Sequence, residues 1–265
     1  MSASPDWLAV CRGAVEDVRA VLAELPTRAE REPVVGMGFG GDETTAVDRA
    51  AEDAILARFR DLDVTVVSEE VGRVGDGSTL VVVDPIDGSL NAKRGIPFFS
   101  LSIAVAEGER MDDVRFAYVY DFGSGEEWTA RRGGGAWLDG EPLGAVRPKE
   151  RIEILSFEAT LTSLVARDAP KIAELAYRLR IMGSLALSLC HLAAGRVDAV
   201  CSLKGARSVD IAAAQLLCRE VGLAIDLVDV ETPFGEAPLD LEGRSRVAAA
   251  GTSALCRRIA DALSA

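Results

Sequence analysis

A short apolar strand that runs directly into two carboxylates is the feature of this sequence that most constrains its fold. Residues 81–91 read VVVDPIDGSLN. The valines predict a strand with Asp84 at its end, the proline enforces a turn, and Asp87 stands immediately before a Gly-Ser pair that can begin a helix. The sequence therefore predicts that two carboxylates converge at one end of a strand.

The closeness of the two carboxylates indicates a metal site. Two anions this close repel each other unless cations lie between them, so a pair of metal ions is their natural complement. If a helix begins after Asp87, the backbone amides of Gly88, Ser89 and Leu90 would face an anion such as phosphate. An alternative is that the motif is only a polar turn that caps a helix.

A second alternative is a phosphatase of the haloacid dehalogenase type, which carries a nucleophilic aspartate at a strand end. The motif of that family is Asp-x-Asp-Gly-Thr, with its aspartates two residues apart, whereas Asp84 and Asp87 are three apart. The two spacings aim the second carboxylate differently. The sequence therefore favours Asp84 as a metal bridge over Asp84 as a covalent nucleophile.

Further acidic residues strengthen the predicted site. Glu69 and Glu70 close the preceding strand, and neighbouring strand ends lie about 5 Å apart. Because side chains alternate along a strand, we expect one of these two to be a ligand and the other to be solvated. Asp42 and Asp48 flank a glycine-rich loop, and Asp210 begins a late helix, where a carboxylate also has an ordinary capping role.

The charge balance argues against several classes of partner. The 265 residues include 29 basic and 42 acidic side chains, which gives a net charge of −13 with the single His neutral. This sign argues against nucleic acid and against an acidic membrane surface, and no stretch approaches the ~20 apolar residues of a spanning helix. The N-terminal residues lack the pattern of a secretory signal, so we expect a cytoplasmic protein.

The residue types available limit any metal site to oxygen ligands. The chain has one His, no Cys-x-x-Cys pair and five scattered cysteines, which favours buried thiols over disulfides or a zinc site. Oxygen ligands suit magnesium, manganese or calcium. The single imidazole, His191, lies within a predicted apolar helix, and we expect it to be structural.

The apolar pattern predicts alternating helices and strands. The first half should contain a helix opened by Ser4 and Pro5, a mobile glycine loop at residues 36–42, and a helix from Thr44 or Thr45 through Phe59. The strands predicted there cover residues 64–68, 79–83, 100–106 and 115–120, with hairpin turns at 132–135 and 138–140. In the second half, strands are predicted at 152–155, 178–182, 197–202 and 247–250, and helices near 171–177 and at 184–194, 210–221 and 253–262.

This pattern predicts an α/β protein in two halves. Residues 1–149 form an α+β half that carries the metal and phosphate site, and residues 150–265 form an α/β half that carries Asp210 and substrate contacts. No flexible linker separates the halves. We therefore expect a shared interface with the active site in the crevice between them.

The motifs in this order resemble the inositol monophosphatase and fructose-1,6-bisphosphatase superfamily of metal-dependent phosphatases. The matching stretches are DETTAVD (42–48), SEE (68–70), DPIDGSLN (84–91), GSLA (183–186) and VDIAAA (209–214). The resemblance implies a layered α-β-α-β-α sandwich of the sugar phosphatase type. It also implies hydrolysis of a phosphomonoester with two or three Mg²⁺ ions, with Mn²⁺ as a possible substitute, and a homodimer.

The resemblance also implies roles for individual residues. One metal would be held by Glu69, Asp84 and the Ile86 carbonyl, and the other by Asp84, Asp87 and Asp210. For catalysis, the resemblance implies that Glu69 and the Ser89 hydroxyl, oriented by Asp48, position the metal-activated water. The amides of Gly88 and Ser89 would bind the phosphate, and Asp87, Gly183 and Ser184 would contact the substrate. Asp42 would bind a weaker third ion.

Departures from the family pattern bear on the substrate. Members specialised for inositol phosphate usually carry an acidic residue where this chain has Leu203, and a Trp where it has Val209. The basic loop Lys204-Gly205-Ala206-Arg207 instead resembles that of archaeal-type enzymes that hydrolyse both fructose 1,6-bisphosphate and inositol monophosphate. Fixed cations are what a second phosphate requires, and the candidates are Arg178, Arg180, Lys204 and Arg207; a solvated surface is the alternative for these side chains.

The sequence therefore predicts a Mg²⁺-dependent phosphatase of a sugar or cyclitol phosphate, with fructose 1,6-bisphosphate and inositol 1-phosphate as the first candidates. Within the superfamily, nucleotide 3′-phosphatase and histidinol-phosphatase activities are alternatives. A non-catalytic regulatory protein on the same scaffold is an alternative of another class, and a small-molecule receptor of the periplasmic type is a weaker one.

Overall fold

The structure is a computed structural model that describes residues 5–39, 41–147, 149, 151–159 and 161–265. Two residues of the sequence predictions, Ser4 and Gly40, lie outside these ranges. The first helix begins at Trp7, later than predicted. Its N-cap is Asp6, whose side chain accepts a hydrogen bond from the Ala9 amide at 3.3 Å.

The first half of the chain builds a hairpin and a large mixed sheet. Its elements are α1 (Trp7–Glu24), α2 (Arg28–Arg31), β1 (Val34–Met37), β2 (Glu43–Thr45), α3 (Ala46–Phe59), β3 (Val64–Ser68), β4 (Gly72–Val74), β5 (Thr79–Asp87), α4 (Ser89–Arg94), β6 (Ser100–Ala106), β7 (Val114–Asp121), β8 (Glu127–Arg131), β9 (Gly135–Leu138) and β10 (Glu141–Pro142). The strand order in the large sheet is β10-β9-β8-β7-β6-β5-β3-β4. Strands β3 and β5 run parallel, so their carboxyl ends meet at one edge.

The second half builds a five-stranded sheet with the order β12-β11-β13-β15-β14. Its elements are β11 (Ile152–Glu158), α5 (Thr162–Ile172), β12 (Ala176–Arg180), α6 (Leu185–Ala193), β13 (Ala199–Ser202), α7 (Ser208–Glu220), β14 (Ala224–Leu227), β15 (Val247–Ala250) and α8 (Ser253–Ser264). The strands β12, β11 and β13 are parallel, whereas β15 is antiparallel to both of its neighbours.

Three apolar clusters separate the layers. One cluster joins α1 and α3 to the outer face of the large sheet, and a second joins its inner face to α6 and α7 and to the second sheet. The third lies between the second sheet and the pair α5 and α8. This order, helix, sheet, helix, sheet, helix, confirms the predicted layered sandwich, and burial of both faces explains the continuous apolar runs in the strands.

Two further local predictions are wrong, and a third is right in part. The helix predicted near 171–177 ends at Ile172, because α5 begins at Thr162 and packs on α8, with Pro170 inside its last turns. Strand β5 does not stop at 83 but continues to Asp87, with an irregular register between Asp84 and Asp87. The predicted glycine loop is right in part: residues 36 and 37 belong to β1, whereas residues 38, 39, 41 and 42 lie in the connection between β1 and β2.

The buried positions of the cysteines confirm the expected thiols. Cys11, Cys190, Cys201, Cys218 and Cys256 are all buried and free of disulfide bonds. Within the described ranges, no helix combines the length and apolar character that a bilayer-crossing segment requires.

Candidate active site

A cavity of about 290 Å³ lies where the two halves meet. Its wall contains far more carboxylates than cations. The acidic residues that line it are Asp42, Glu43, Asp48, Glu69, Glu70, Asp84, Asp87, Glu158 and Asp210. The basic residues that line it are Lys93, Lys204, Arg207 and Arg244. The metal ligands expected from the sequence, including Ile86, all line this one cavity.

The end of β5 brings Asp84 and Asp87 to the cavity. The register irregularity between them lets the strand turn both side chains to the same side instead of opposite sides. Asp84 is 2% exposed, and its Oδ1 accepts a hydrogen bond from the Ile86 amide at 3.0 Å. Gly88, with φ of +95°, then turns the chain into α4.

Asp87 is held by the second half of the chain. Its Oδ2 accepts hydrogen bonds from the Ser184 hydroxyl at 2.5 Å and from the Ala186 amide at 2.8 Å. Ser184 is also the N-cap of α6 and is 1% exposed. It lies behind Asp87 and does not line the cavity, whereas its neighbour Gly183 does. The Ser184 hydroxyl therefore orients the Asp87 carboxylate, and contact of Ser184 with a substrate stays a prediction.

The N-terminus of α3 brings Asp48 to the cavity wall. Asp48 Oδ2 accepts hydrogen bonds from the Thr45 amide at 3.1 Å and hydroxyl at 2.5 Å, while its buried Oδ1 has no hydrogen-bond partner among the described residues. The predicted contact of Asp48 with the Ser89 hydroxyl is not formed. That hydroxyl donates to the Ile86 carbonyl at 3.0 Å.

Both glutamates after β3 line the cavity and are half-buried, so the structure does not separate them into one inward and one outward residue as strand alternation predicted. Strand alternation does not apply to them, because β3 ends at Ser68 and the chain turns at Glu69 and Glu70. Glu69 pairs with Arg207, and Glu70 accepts a hydrogen bond from the Thr44 hydroxyl.

The clustered carboxylates change each other's acidity. Burial, followed by the charges of Glu69, Asp87 and Asp210, raises the pKa of Asp84 well above its usual range. Burial is also the main reason that the pKa of Glu69 and that of Asp87 rise to about 7, with the Asp210 charge adding to both. These carboxylates therefore bear negative charge at a cost in free energy, which a cation in the cavity would offset.

Arg207 is the cation closest to this cluster. It is 6% exposed, and its Nη2 contacts Glu69 and lies 3.7 Å from Asp210 Oδ1. Its Nη1 lies 3.7 Å from Asp42 Oδ2. Arg207, which was expected to contact a second phosphate, therefore contacts carboxylates instead. It lies between Glu69 and Asp210, which were each expected to bind one of the two metal ions.

Of the other side chains predicted to contact a second phosphate, only Lys204 lines the cavity, whereas Arg178 and Arg180 do not. Lys204 lines the cavity, with its Nζ 3.9 Å from Asp42 Oδ2. Arg180 does not line it and donates to the Leu179 carbonyl at 2.9 Å, while Arg178 pairs with Glu153 at 3.3 Å. Leu203 is buried in the third apolar cluster.

Three charged residues of the cavity wall lie outside the motifs and the basic loop found in the sequence: Lys93, Glu158 and Arg244. Lys93 stands four residues after Ser89 in α4, a spacing that places both on one helix face. Glu158 is the last residue of β11, so a carboxylate at a strand end was the available signal. Nothing in the local sequence marks Arg244.

His191 lies outside the cavity, as expected of a structural residue. Its ring stacks on Phe98, with centroids 5.7 Å apart, and meets the edge of Trp128 at 5.9 Å. Burial lowers the pKa of His191.

The donor set of the cavity fits hard divalent cations, because carboxylate and carbonyl oxygens are the ligands that such ions prefer. The mutual repulsion of the carboxylates and the unpartnered buried Oδ1 of Asp48 agree with this chemistry. Within the described residues, no three acidic, Cys or His side chains already converge on a common point as a metal cage would. Arg207 gives a physical reason for this, because its guanidinium contacts Glu69 and approaches Asp210 and so keeps these carboxylates turned toward it.

The fold and this carboxylate-lined cavity define a phosphatase of the inositol monophosphatase family, and the chain belongs to that family. The model of the inositol monophosphatase family matches residues 8–265. This confirms the resemblance drawn from the motifs. It also identifies the protein as a phosphatase of small phosphorylated substrates.

Several relatives are similar over most of their length. A fructose-1,6-bisphosphatase/inositol-1-monophosphatase of Archaeoglobus fulgidus is 35% identical, over 92% of this chain and 93% of the relative. The Nus factor SuhB of Pasteurella multocida is 33% identical, over 68% of this chain and 70% of the relative. A crystal structure of an inositol monophosphatase-fructose 1,6 bisphosphatase superposes with a TM-score of 0.85 at 28% identity, covering 97% of this chain and all of that one.

Gly88 offers a test of the site that separates local strain from site geometry. A Cβ at Gly88 would lie 3.1 Å from the carbonyl oxygens of Gly183 and Phe98, and the φ of +95° is strained for any other residue. We expect Gly88→Ala to lose about 1–3 kcal/mol of unfolding free energy and at least about tenfold in phosphatase turnover. Gly140→Ala is the matched control, since Gly140 has φ of +80° but open space around its Cβ position. Equal turnover of the two variants in a phosphate-release assay would contradict the expectation.

Proposed function

We propose that this protein is a metal-dependent phosphomonoesterase that acts on a sugar or cyclitol phosphate, with fructose 1,6-bisphosphate and inositol 1-phosphate as its substrates. The observation that supports this proposal most strongly is the cluster Glu69, Asp84, Asp87 and Asp210 in one cavity. Burial and the neighbouring negative charges raise the pKa values of the first three. The names of the archaeal relatives support the choice of substrates.

In this proposal the carboxylates are the ligands of two Mg²⁺ or Mn²⁺ ions. Glu69, Asp84 and the Ile86 carbonyl would hold one ion, and Asp84, Asp87 and Asp210 would hold the other. When bound, such ions lower the pKa of water and neutralise the charge that develops on the phosphoryl oxygens.

The protein's own residues supply orientation and binding. Asp48 Oδ1 is buried and unpartnered among the described residues, so it can accept a hydrogen bond from the attacking water. Ser184 and the Ala186 amide keep the Asp87 carboxylate in one orientation. Gly88 and Ser89 line the cavity beside Asp87, where their backbone amides suit a phosphate group.

The cations around the cavity favour a substrate with a second anionic group. Lys93, Lys204 and Arg244 line the wall in addition to Arg207, which is engaged with carboxylates. Lys93 makes no hydrogen bond or ion pair with any residue that the structure describes. We assign the second phosphate of fructose 1,6-bisphosphate to these side chains in place of Arg178 and Arg180. The cytoplasmic location, the homodimer and a third ion at Asp42 stay predictions from the resemblance and the sequence.

The test is phosphate release by the purified protein from fructose 1,6-bisphosphate and from inositol 1-phosphate, each with Mg²⁺ and with a chelator. The proposal expects release from both that stops when the chelator is added, with the bisphosphate cleaved at the lower KM. Release from inositol 1-phosphate alone would contradict the assignment of the second phosphate to Lys93, Lys204 and Arg244. If neither is cleaved, nucleotide 3′-phosphates and histidinol phosphate are the next substrates to compare.

A non-catalytic role is the second candidate, and the similarity to the Nus factor SuhB of Pasteurella multocida is the observation that favours it. It predicts a protein partner whose capture is unaffected by Asp84→Asn, in a protein without phosphatase activity. Metal-dependent turnover on either substrate would contradict a purely non-catalytic role.

A further inference from the structure

A buried glutamate on α3 holds the turn that carries Glu69. Glu52 is 0% exposed, and its Oε1 accepts hydrogen bonds from the backbone amides of Glu70 and Val71, both at 3.2 Å. These amides follow directly after Glu69 in the short turn between β3 and β4, which the pairing of Ser68 with Gly72 closes. The Phe39 amide also donates a hydrogen bond to the Glu70 carbonyl in this turn, at 3.0 Å. One carboxylate oxygen therefore anchors two consecutive amides of this turn.

The environment of Glu52 is costly for a carboxylate. Its Oε2 is buried and forms no hydrogen bond of full geometry with a described residue, and Arg49 Nη1 lies 3.7 Å away. Burial raises the pKa of Glu52, and the nearby Ser68 hydroxyl opposes that rise. Burying a charged group without full hydrogen bonding costs free energy. An apolar side chain would pack on this face of α3 without that cost. The structural contribution of Glu52 is therefore the pair of hydrogen bonds that it accepts from the two backbone amides.

Helix α3 connects this turn to another part of the site. Asp48 and Glu52 are four residues apart, so they lie on one helix face. Asp48 reaches the cavity wall, and one helical turn later Glu52 reaches the backbone after Glu69. The rigid helix thus sets the spacing between Asp48 and the turn, and the bond from the Thr44 hydroxyl to Glu70 holds the turn from a second side.

We propose that Glu52 is a positioning residue that fixes the turn after β3, so that Glu69 faces Asp84 and Asp210 across the cavity and the cluster can bind a divalent cation tightly. This inference rests on the proposed function. Glu52 does not line the cavity, so it acts through the backbone of Glu70 and Val71 and touches neither the ion nor the substrate.

The experiment is a Mn²⁺ titration of the full-length protein, followed by electron paramagnetic resonance of the free ion, which needs no turnover. Residues behind metal ligands contribute about 10–100-fold to metal affinity. We expect Glu52→Ala to weaken Mn²⁺ binding by at least about tenfold. Glu52→Gln should bind within about threefold of wild type, because its amide oxygen can accept the same two hydrogen bonds. Rescue by Gln would show that the effect does not depend on the charge of Glu52.

Asp121→Ala is the matched control. Asp121 is also a buried carboxylate, 3% exposed, and it accepts hydrogen bonds from the Gly123 amide and the Ser124 hydroxyl, both at 2.7 Å. The turn that it holds does not line the cavity. We expect this variant to lose thermal stability while its Mn²⁺ affinity stays that of the wild type.

The outcomes separate this inference from the proposed function. Wild-type affinity in a folded Glu52→Ala would overturn the inference alone. A wild-type protein that binds no Mn²⁺ would overturn the proposed function and the inference with it. If Glu52→Ala does not fold, Glu52→Asp gives the same comparison, since its carboxylate is one methylene too short to hold both amides; weaker Mn²⁺ binding supports the inference, and wild-type binding overturns it.

Discussion

Replacing Asp84 with Asn is expected to reduce phosphate release by at least about 10²–10³-fold while the protein stays folded. Asp84 is the carboxylate that the proposal shares between both metal ions, so its loss weakens both sites at once. The fold should tolerate the change, because the amide oxygen of Asn can accept the hydrogen bond that the Ile86 amide now donates to Asp84.

The stability of the same variant tests the electrostatic explanation. Burial and the charges of Glu69, Asp87 and Asp210 raise the pKa of Asp84, so ionised Asp84 costs free energy in the folded protein. We expect Asp84→Asn in chelator at pH 8 to melt at or above the wild-type temperature.

Asp76→Asn, at an exposed position outside the cavity, is the control for the turnover of Asp84→Asn. Near-wild-type turnover of Asp84→Asn would remove the bridging assignment.

Replacing Arg207 with Met should have the largest effect on stability in the absence of metal. The guanidinium is buried and faces Glu69, Asp210 and Asp42. Removing one partner of a buried ion pair leaves uncompensated charge and costs about 3–5 kcal/mol. Urea unfolding in chelator measures this loss. Arg73→Met is the control, because Arg73 and Glu109 form an exposed pair worth less than about 1 kcal/mol.

The loss should also depend on pH. Burial raises the pKa of Glu69 to about 7 in the folded protein, above its value of 4.5 in the unfolded chain. At pH 5 folded Glu69 therefore binds a proton and needs no partner, whereas at pH 8 it is ionised and Arg207 offsets its charge. We expect the destabilisation by Arg207→Met to be larger at pH 8 than at pH 5, and saturating Mg²⁺ to recover part of it at pH 8. A loss no larger than that of Arg73→Met, or one that is larger at pH 5, would contradict the role given to Arg207.

The sequence predicted the parts of the site that lie on one continuous segment. The motif at residues 84–89 predicted Asp84 and Asp87 at a strand end, because a strand, a proline turn and a glycine are local features. The layered fold followed from the resemblance, the long helix α1 from its apolar periodicity, and helix α3 from the threonines that can start it.

Contacts between distant segments could not be predicted in the same way. The Ser184 hydroxyl meets Asp87 across 97 positions of the chain, and Arg207 meets Glu69 across 138. In its local sequence Arg207 resembles a solvated or phosphate-binding cation, because charged side chains are usually exposed. Its burial depends on carboxylates that the fold gathers from separate elements. The role of Glu52 was hidden for the same reason, since its partners are backbone amides on another turn.

The most direct test of the metal assignment is a crystal structure of the protein grown with Mn²⁺, with anomalous differences recorded to locate the ions. The proposal predicts two anomalous peaks in the cavity, both in contact with Asp84, one also with Glu69 and the Ile86 carbonyl and the other with Asp87 and Asp210. It further predicts that the Arg207 guanidinium no longer contacts Glu69. Peaks that avoid Asp84, or a cavity without Mn²⁺ in crystals of active protein, would contradict the account.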